Sequence, residues 1–181
     1  IASAVYDTAN NRMIIFGGTY DGGFNYMNDV WVLSTANGLG GAPAWTQLSP
    51  SGSPPAARNN HSSVYDSVNN RMTVFGGTNG GYFNDVWVLS NVDGLGGTPS
   101  WTQLTVSGTS ITRLGHSAVY DNFNNRMITF GGSSQGSIPL NEVWILSDAN
   151  GLGGTPTWTQ ITTAGSTPAE RWSHTAIYDN I

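Results

Sequence analysis

The sequence has no cysteine and no lysine, few charges and no long apolar run. Without cysteine, disulfide frameworks, thiolate zinc sites and cysteine nucleophiles are all excluded, while the redox compartment stays open. No apolar run approaches the roughly 20 residues that cross a bilayer as a helix. The opening Ile1-Ala2-Ser3-Ala4-Val5-Tyr6-Asp7 has neither a basic n-region nor a cleavage site, so no transmembrane or uncleaved signal segment is expected. Charged residues make up 9% of the chain and the net charge is −5. A phosphate-binding surface concentrates cations, so nucleic acid is not an expected partner. All six cations are arginines at two recurring positions: Arg12, Arg71 and Arg126, and Arg58, Arg113 and Arg171. That placement points to roles for a planar guanidinium fork, which an ammonium cannot fill.

What is present points to an all-β protein. Hydrophobic residues make up 38% of the chain, with seven Trp, seven Tyr and six Phe, enough for a core. Gly, Asn, Ser and Thr dominate the remainder, as in tight turns between short strands. Self-comparison reveals a repeat of about 56 residues. Val5-Tyr6-Asp7 returns at Val64, Val119 and, with Ile, at Ile177. Phe16-Gly17-Gly18 returns at Phe75 and Phe130, Asp29-Val30-Trp31 at Asp85 and Glu142, and Trp45-Thr46-Gln47 at Trp101 and Trp158. Each period holds four short apolar segments, in the second period His61 to Tyr65, Met72 to Phe75, Val86 to Leu89 and Trp101 to Leu104. They are rich in β-branched and aromatic residues and too short for helices. Asn69-Asn70 reads as a hairpin turn, and Asp93 to Pro99 joins the third strand to the fourth. Four strands per repeat make one propeller blade, whose faces are buried by its neighbours.

The double glycine after an apolar strand, then an aromatic or Asn-rich loop and a strand Trp, resembles the kelch repeat. The resemblance spans essentially the whole chain. It implies a propeller usually of six or seven blades, whereas this sequence supplies three complete blades plus one strand of a fourth, an incomplete ring. The expected boundaries are about 1–50, 58–106 and 113–163, with the further strand at about 171–181. Two arrangements fit: an excerpt of a longer propeller, or short chains assembling as a half-propeller dimer or a head-to-tail array. Some kelch-type propellers are copper oxidases with a Tyr/Cys radical pair, a pattern from which a chain without cysteine departs.

In an antiparallel meander the second-to-third and fourth-to-first loops share one face. The opposite loops are nearly copied between repeats, as in Asn37-Gly38-Leu39-Gly40-Gly41 and Asn150-Gly151-Leu152-Gly153-Gly154, and read as architectural. The second-to-third loops differ: Tyr20 to Met27, Asn79 to Phe83, and Ser134 to Leu140. Variable loops on a fixed frame carry recognition. The same face receives Arg58 with His61, Arg113 with His116, and Arg171 with His174. Either these form a cationic, hydrogen-bonding collar around the channel mouth, or they bond backbone carbonyls of the adjoining blade and set the angle between blades. Trp31, Trp87, Trp144, Trp45, Trp101 and Trp158 are expected in the core. Trp172 replaces Asn59 and Leu114, and with Tyr20, Tyr26, Tyr82 and Phe83 offers flat surfaces for a sugar ring or a peptide.

Asp7 with Arg12, Asp66 with Arg71, and Asp121 with Arg126 bracket the first hairpin of each blade and are read as salt bridges or turn caps. Asp148-Ala149-Asn150-Gly151 looks like half a calcium loop, but Thr35 and Asn91 break the oxygen pattern in the other blades, and no metal or cofactor is expected. Glycine-rich runs precede strands, so no helix N-terminus cradles a phosphate. Asn60-His61-Ser62 matches a glycosylation acceptor, as chance allows. No nucleophile–base pair, carboxylate pair or open metal position stands out. The sequence therefore reads as a non-catalytic binding module for carbohydrate or protein, extracellular or on a cell surface. A self-assembling structural module and an enzyme completed by further blades are the alternatives.

Overall fold

The computed structural model describes residues 1–22 and 24–179. Its elements are strands only, arranged as three four-stranded antiparallel meanders. Blade 1 contains β1 (Ser3–Asp7), β2 (Arg12–Thr19), β3 (Tyr26–Ser34) and β4 (Ala44–Leu48). Blade 2 contains β5 (Ser62–Asp66), β6 (Arg71–Phe75), β7 (Val86–Ser90) and β8 (Ser100–Leu104). The two-residue strand β9 (Ser107–Gly108) follows. Blade 3 contains β10 (Ser117–Asp121), β11 (Arg126–Phe130), β14 (Val143–Ser147) and β15 (Thr157–Ile161), with a small hairpin of β12 (Ser133–Ser134) and β13 (Ile138–Pro139) in its second-to-third loop. The four strands expected in the second period are met to within a residue at either end.

The inner strands line the axis, with β5 against both β1 and β10. The sheets are not closed into a ring. Residues 171–179, within the further inner strand expected at about 171–181, belong to no ladder, because no second strand stands beside them among the described residues. Asn180 and Ile181, also within that expected strand, lie outside the described residues.

The repeated hairpin turns have a common cause. Asp7 Oδ1 accepts hydrogen bonds from the amides of Ala9 and Asn10, and Asp66 and Asp121 repeat this with Val68/Asn69 and Phe123/Asn124. The last turn residue, Asn11, Asn70 or Asn125, takes a left-handed conformation (φ 52, 52 and 53) that Asn tolerates better than most residues. The aspartates therefore cap turns. Their register partners Arg12 and Arg71 instead donate across the junction, to Asp93 O (2.7 Å) and Asn150 O (2.6 Å) of the next blade.

The core lies between blades. Phe16, Ile14, Val30 and Val32 of blade 1 meet Met72, Val74, Leu89 and Trp101 of blade 2. Phe75, Val64 and Val86 then meet Met127, Leu146, Trp144 and Trp158 of blade 3. The Trp of each following blade packs on the Phe of the preceding one, with ring centroids 5.1 Å apart for Trp101–Phe16 and 4.6 Å for Trp158–Phe75. Trp45 corrects the expectation of a uniform tryptophan core. It is 48% exposed, against 5% for Trp101 and 4% for Trp158, because no blade among the described residues lies against that side of blade 1.

The double glycines are demanded by how closely the entry segments of the next blade and of their own blade approach them. Gly76 (φ 69) leads a tight exit from β6, and a Cβ there would stand 2.5 Å from Arg113 O of the next blade's entry segment. A side chain at Gly77 would meet Asn59 O at the same 2.5 Å. Only glycine satisfies both the backbone and the space.

Candidate functional site

The segments carrying Arg-x-x-His enter each blade by crossing the edge of the blade before. Arg58 O accepts from Gly18 N (2.8 Å), and Arg58 N donates to Met27 O (3.0 Å). Gly77 N and Gly132 N bond Arg113 O and Arg171 O in the same way, both at 2.8 Å. The third residue of each motif is left-handed: Asn60 (φ 54), Gly115 (φ 63) and Ser173 (φ 56).

The Arg58 side chain is fully buried. Its guanidinium makes a bidentate pair with Asp85 (2.7 and 2.8 Å), donates to Gly76 O (2.9 Å) and Ala56 O (3.0 Å), and lies 4.1 Å from the centroid of the Phe83 ring. Burial by itself would raise the Asp85 carboxyl; the Arg58 fork and charge, helped by the Trp87 N–H, outweigh it and hold the carboxyl below its usual range. In blade 3, Arg113 pairs with Glu142, whose carboxyl is held down first by the Trp144 N–H (2.9 Å) and then by Arg113 against burial. Arg171 is exposed, and its Nε donates to Ala169 O (2.9 Å).

Each histidine reaches back one blade. His61 Nε2 bonds Ser3 Oγ (2.6 Å), His116 bonds Ser62 (2.6 Å), and His174 bonds Ser117 (2.8 Å). Each ring also stands edge-on to the preceding blade's Phe16, Phe75 or Phe130, at 5.2, 5.1 and 5.3 Å. Desolvation, followed by the nearby Arg58 charge and His116, pushes His61 down to about 3. Desolvation, followed by Arg113 and His174, does the same to His116. Both are neutral at physiological pH. The His side chains thus engage serine hydroxyls of the preceding blade, whereas Arg58 and Arg113 engage carboxylates of the blade they lead into. The serines are the functional partners missed in the sequence, although each sits one residue after the His position in its own repeat, a spacing that could have flagged them.

Several large apolar side chains face solvent on this side, among polar and glycine residues. Tyr20 is 73% exposed, Phe24 86% and Ile138 59%, all in second-to-third loops. Tyr82 is half-buried and bridges to Ser137 of the next blade's loop (3.4 Å), while Phe83 covers Arg58. Tyr26 lies in β3, paired with Thr19, rather than in the loop. Trp172 is 56% exposed. Its counterparts Asn59 and Leu114 are buried by bridging to Thr78 and Ser133, the residues that follow the double glycine of their own blades. No such residue follows Trp172 among the described residues, which accounts for its exposure.

Comparison with known proteins agrees with this architecture. The KLHDC2/KLHL20/DRC7 Kelch-repeats domain family matches residues 2–112. The chain is 29% identical over 167 residues to the Leucine-zipper-like transcriptional regulator 1 homolog of Drosophila melanogaster, covering 87% of this chain and 15% of that protein. It is 31% identical over 183 residues to Putative adagio-like protein 2 of Oryza sativa subsp. japonica, covering 92% of this chain and 26% of the relative. The chain thus spans only a minor part of the curated relatives it matches. Among solved structures, that of YjhT superposes with a TM-score of 0.66 at 13% identity, over 94% of this chain and 53% of the other, a likeness of fold alone. With the family match covering most of its length and all three described blades built alike, this chain belongs to the kelch-repeat family.

Proposed function

We propose that the chain is a protein-interaction module that recognises a partner's exposed segment through the tips of its second-to-third loops. One observation carries this reading: Tyr20, Phe24 and Ile138 are exposed on the loops that differ between blades, while the repeated Arg and His residues beneath them are spent on the frame. Rigidly mounted aromatics give large contact area at low entropic cost. The apolar character of the tips suits a peptide or protein surface with apolar anchors.

Screening the chain and its Tyr20→Ser, Phe24→Ser and Ile138→Ser variants on peptide arrays tests this. A ligand bound by the parent and lost at least roughly tenfold by these variants, at unchanged melting temperature, is the expected result. Equal binding by parent and variants would overturn it.

A second reading is favoured by Trp45. The side of blade 1 that bears it matches in kind the buried Trp101 and Trp158 surfaces, so it accepts a further blade, which a second copy of the chain can supply. Light scattering decides it: a mass above the monomer that falls with Trp45→Ser supports blade docking, and a monomer at all concentrations removes it.

A further inference from the structure

An asparagine followed by glycine is where a chain most readily attacks itself, because glycine has no Cβ to screen its own amide nitrogen from the neighbouring carboxamide carbon. The sequence holds three such steps, Asn37-Gly38, Asn79-Gly80 and Asn150-Gly151. The first and third belong to the copied loops between third and fourth strands, and the second lies in a second-to-third loop, of the kind that differs between blades. The fold restrains the three unequally.

Asn150 is 5% exposed. Its carboxamide donates to Asp66 Oδ2 (2.7 Å) and accepts from Asn125 Nδ2 (2.8 Å) and Leu152 N (2.9 Å). Gly151 N donates to Asp148 O (2.9 Å), and Leu104 and Arg71 crowd the space beside its Cα. Asn37 is exposed but pinned: Oδ1 accepts from Asn11 Nδ2 (2.6 Å) and Leu39 N (2.9 Å), and Gly38 N donates to Thr35 O (2.9 Å). Asn79 is exposed and loosely held. Its Oδ1 accepts one long bond from Gly81 N (3.4 Å), and its Nδ2 donates to no group among the described residues. Gly80 N donates to the rotatable Thr78 hydroxyl (3.1 Å) instead of a backbone carbonyl, and no atom stands within 4 Å of the place a Gly80 side chain would take. Ring closure needs the carboxamide to swing onto the next nitrogen and that nitrogen to lose its proton. At Asn37 and Asn150 both movements break short bonds; at Asn79 they break one weak contact and one bond to a hydroxyl.

We propose that Asn79 is a site of spontaneous covalent modification on the variable-loop face. Gly80 N bonds to Asn79 Cγ, the Gly80 N–H proton passes to solvent with Thr78 Oγ1 as its first acceptor, and the Cγ–Nδ2 bond breaks to release ammonia. Water then opens the cyclic imide at either carbonyl, leaving aspartate or isoaspartate, with no oxidant or reductant taking part. The product places a new negative charge on the loop that reaches blade 3 through Tyr82 and Ser137, and the iso form lengthens that loop's backbone. The reaction itself stands apart from the reading of these loops as a recognition surface; on that reading, it is a chemical clock set into the binding face.

The arginines place each step in a tryptic peptide of its own, 13–58, 72–113 and 127–171, so one digest reads all three. The folded protein is aged at mildly alkaline pH, beside a sample held in urea, and digested at intervals for mass spectrometry. The mass gain of an amide becoming an acid should appear in 72–113, localised to Asn79 by fragmentation, roughly fivefold faster than in 13–58, the worth of about one hydrogen bond, and slowest in 127–171. In urea the three rates should converge, since glycine follows each asparagine. Asn79→Gln, which would have to close a larger ring, should remove the gain from 72–113 at unchanged melting temperature. Conversion of 13–58 or 127–171 as fast as 72–113 in the folded chain would overturn the proposal. So would the same ranking in urea, or a folded 72–113 that stays unchanged while the urea sample converts.

Discussion

Acidification should strip stability from this protein well before its carboxylates titrate. His61 and His116 are buried at successive blade junctions, each with Nε2 on a serine of the preceding blade. A second ring proton would create a buried charge beside an arginine, which is why burial, then the adjacent arginines, hold both rings down to about 3. In the unfolded chain the same imidazoles take up a proton near pH 6.5. Between those limits the unfolded state binds more protons than the folded one, so stability falls as pH falls. At about 1.36 kcal/mol per pH unit, moving to pH 5 costs about 2 kcal/mol per ring and about 4 kcal/mol for both. For a chain of this length that corresponds to a drop of about 8–16 °C in melting temperature. The folded-state depression of Asp85 and Glu142 has the same sign but acts only in the carboxylate range, so a comparison of about pH 7.5 with pH 5 isolates the histidines. Urea denaturation at the two pH values measures the difference, and His116→Gln should remove about half of it. Folded-state imidazole resonances titrating near 6.5, or an undiminished pH effect in His116→Gln, would refute the reasoning.

Other junction contacts make equally direct predictions. Arg58→Ala leaves Asp85 without its fork partner and should cost about 3–5 kcal/mol in urea denaturation, whereas Arg126→Ala, at an exposed position with no side-chain hydrogen bond among the described residues, should stay within about 0.5 kcal/mol. Asn150 donates to Asp66 Oδ2 (2.7 Å), but the previous blade has Asp93 at that position, and the Asn10 amide lies between the Asp7 and Asp93 carboxylates (2.7 and 3.4 Å). Asp93→Asn should therefore supply the missing donor and raise stability by about 1 kcal/mol, a gain visible as a higher denaturation midpoint. Trp101→Ala should cost about 3–5 kcal/mol through lost packing on Phe16, while Trp45→Ala should cost roughly 1 kcal/mol; equal costs would contradict the assignment of Trp45 to an open blade face.

Much of the fold was legible because its requirements recur. Asn11, Asn70 and Asn125 answer a left-handed turn, and Gly76 and Gly77 answer a close approach, so the same local demand writes the same letter in each blade. The division between constant and variable loops followed from the same comparison. What repetition could not show was where a side chain reaches. Arg12 and Arg71 look like partners of Asp7 and Asp66 in the hairpin register, yet they extend to the next blade because turn amides already fill the carboxylates. The exposure of Trp45 and Trp172 depends on which neighbour lies against them. The burial of Trp158 depends on two sheets meeting. Contacts between repeats are set by blade geometry, which no single period encodes.

The short strand β9 has a consequence for the integrity of the whole array. By pairing Ser107 and Gly108 with Thr157 and Trp158, the exit segment of blade 2 occupies part of the outer rim of blade 3, and Ser51 does the same for blade 2 at Ser100. Each blade thus shields the following blade's outermost strand from unwanted pairing, like a roof tile overlapping the next. Among the described residues β4 has no such cover. Fraying and hydrogen exchange should begin at Ala44–Leu48 and advance through the blades in chain order, so that the resistance of the third blade to opening is partly lent to it by the second.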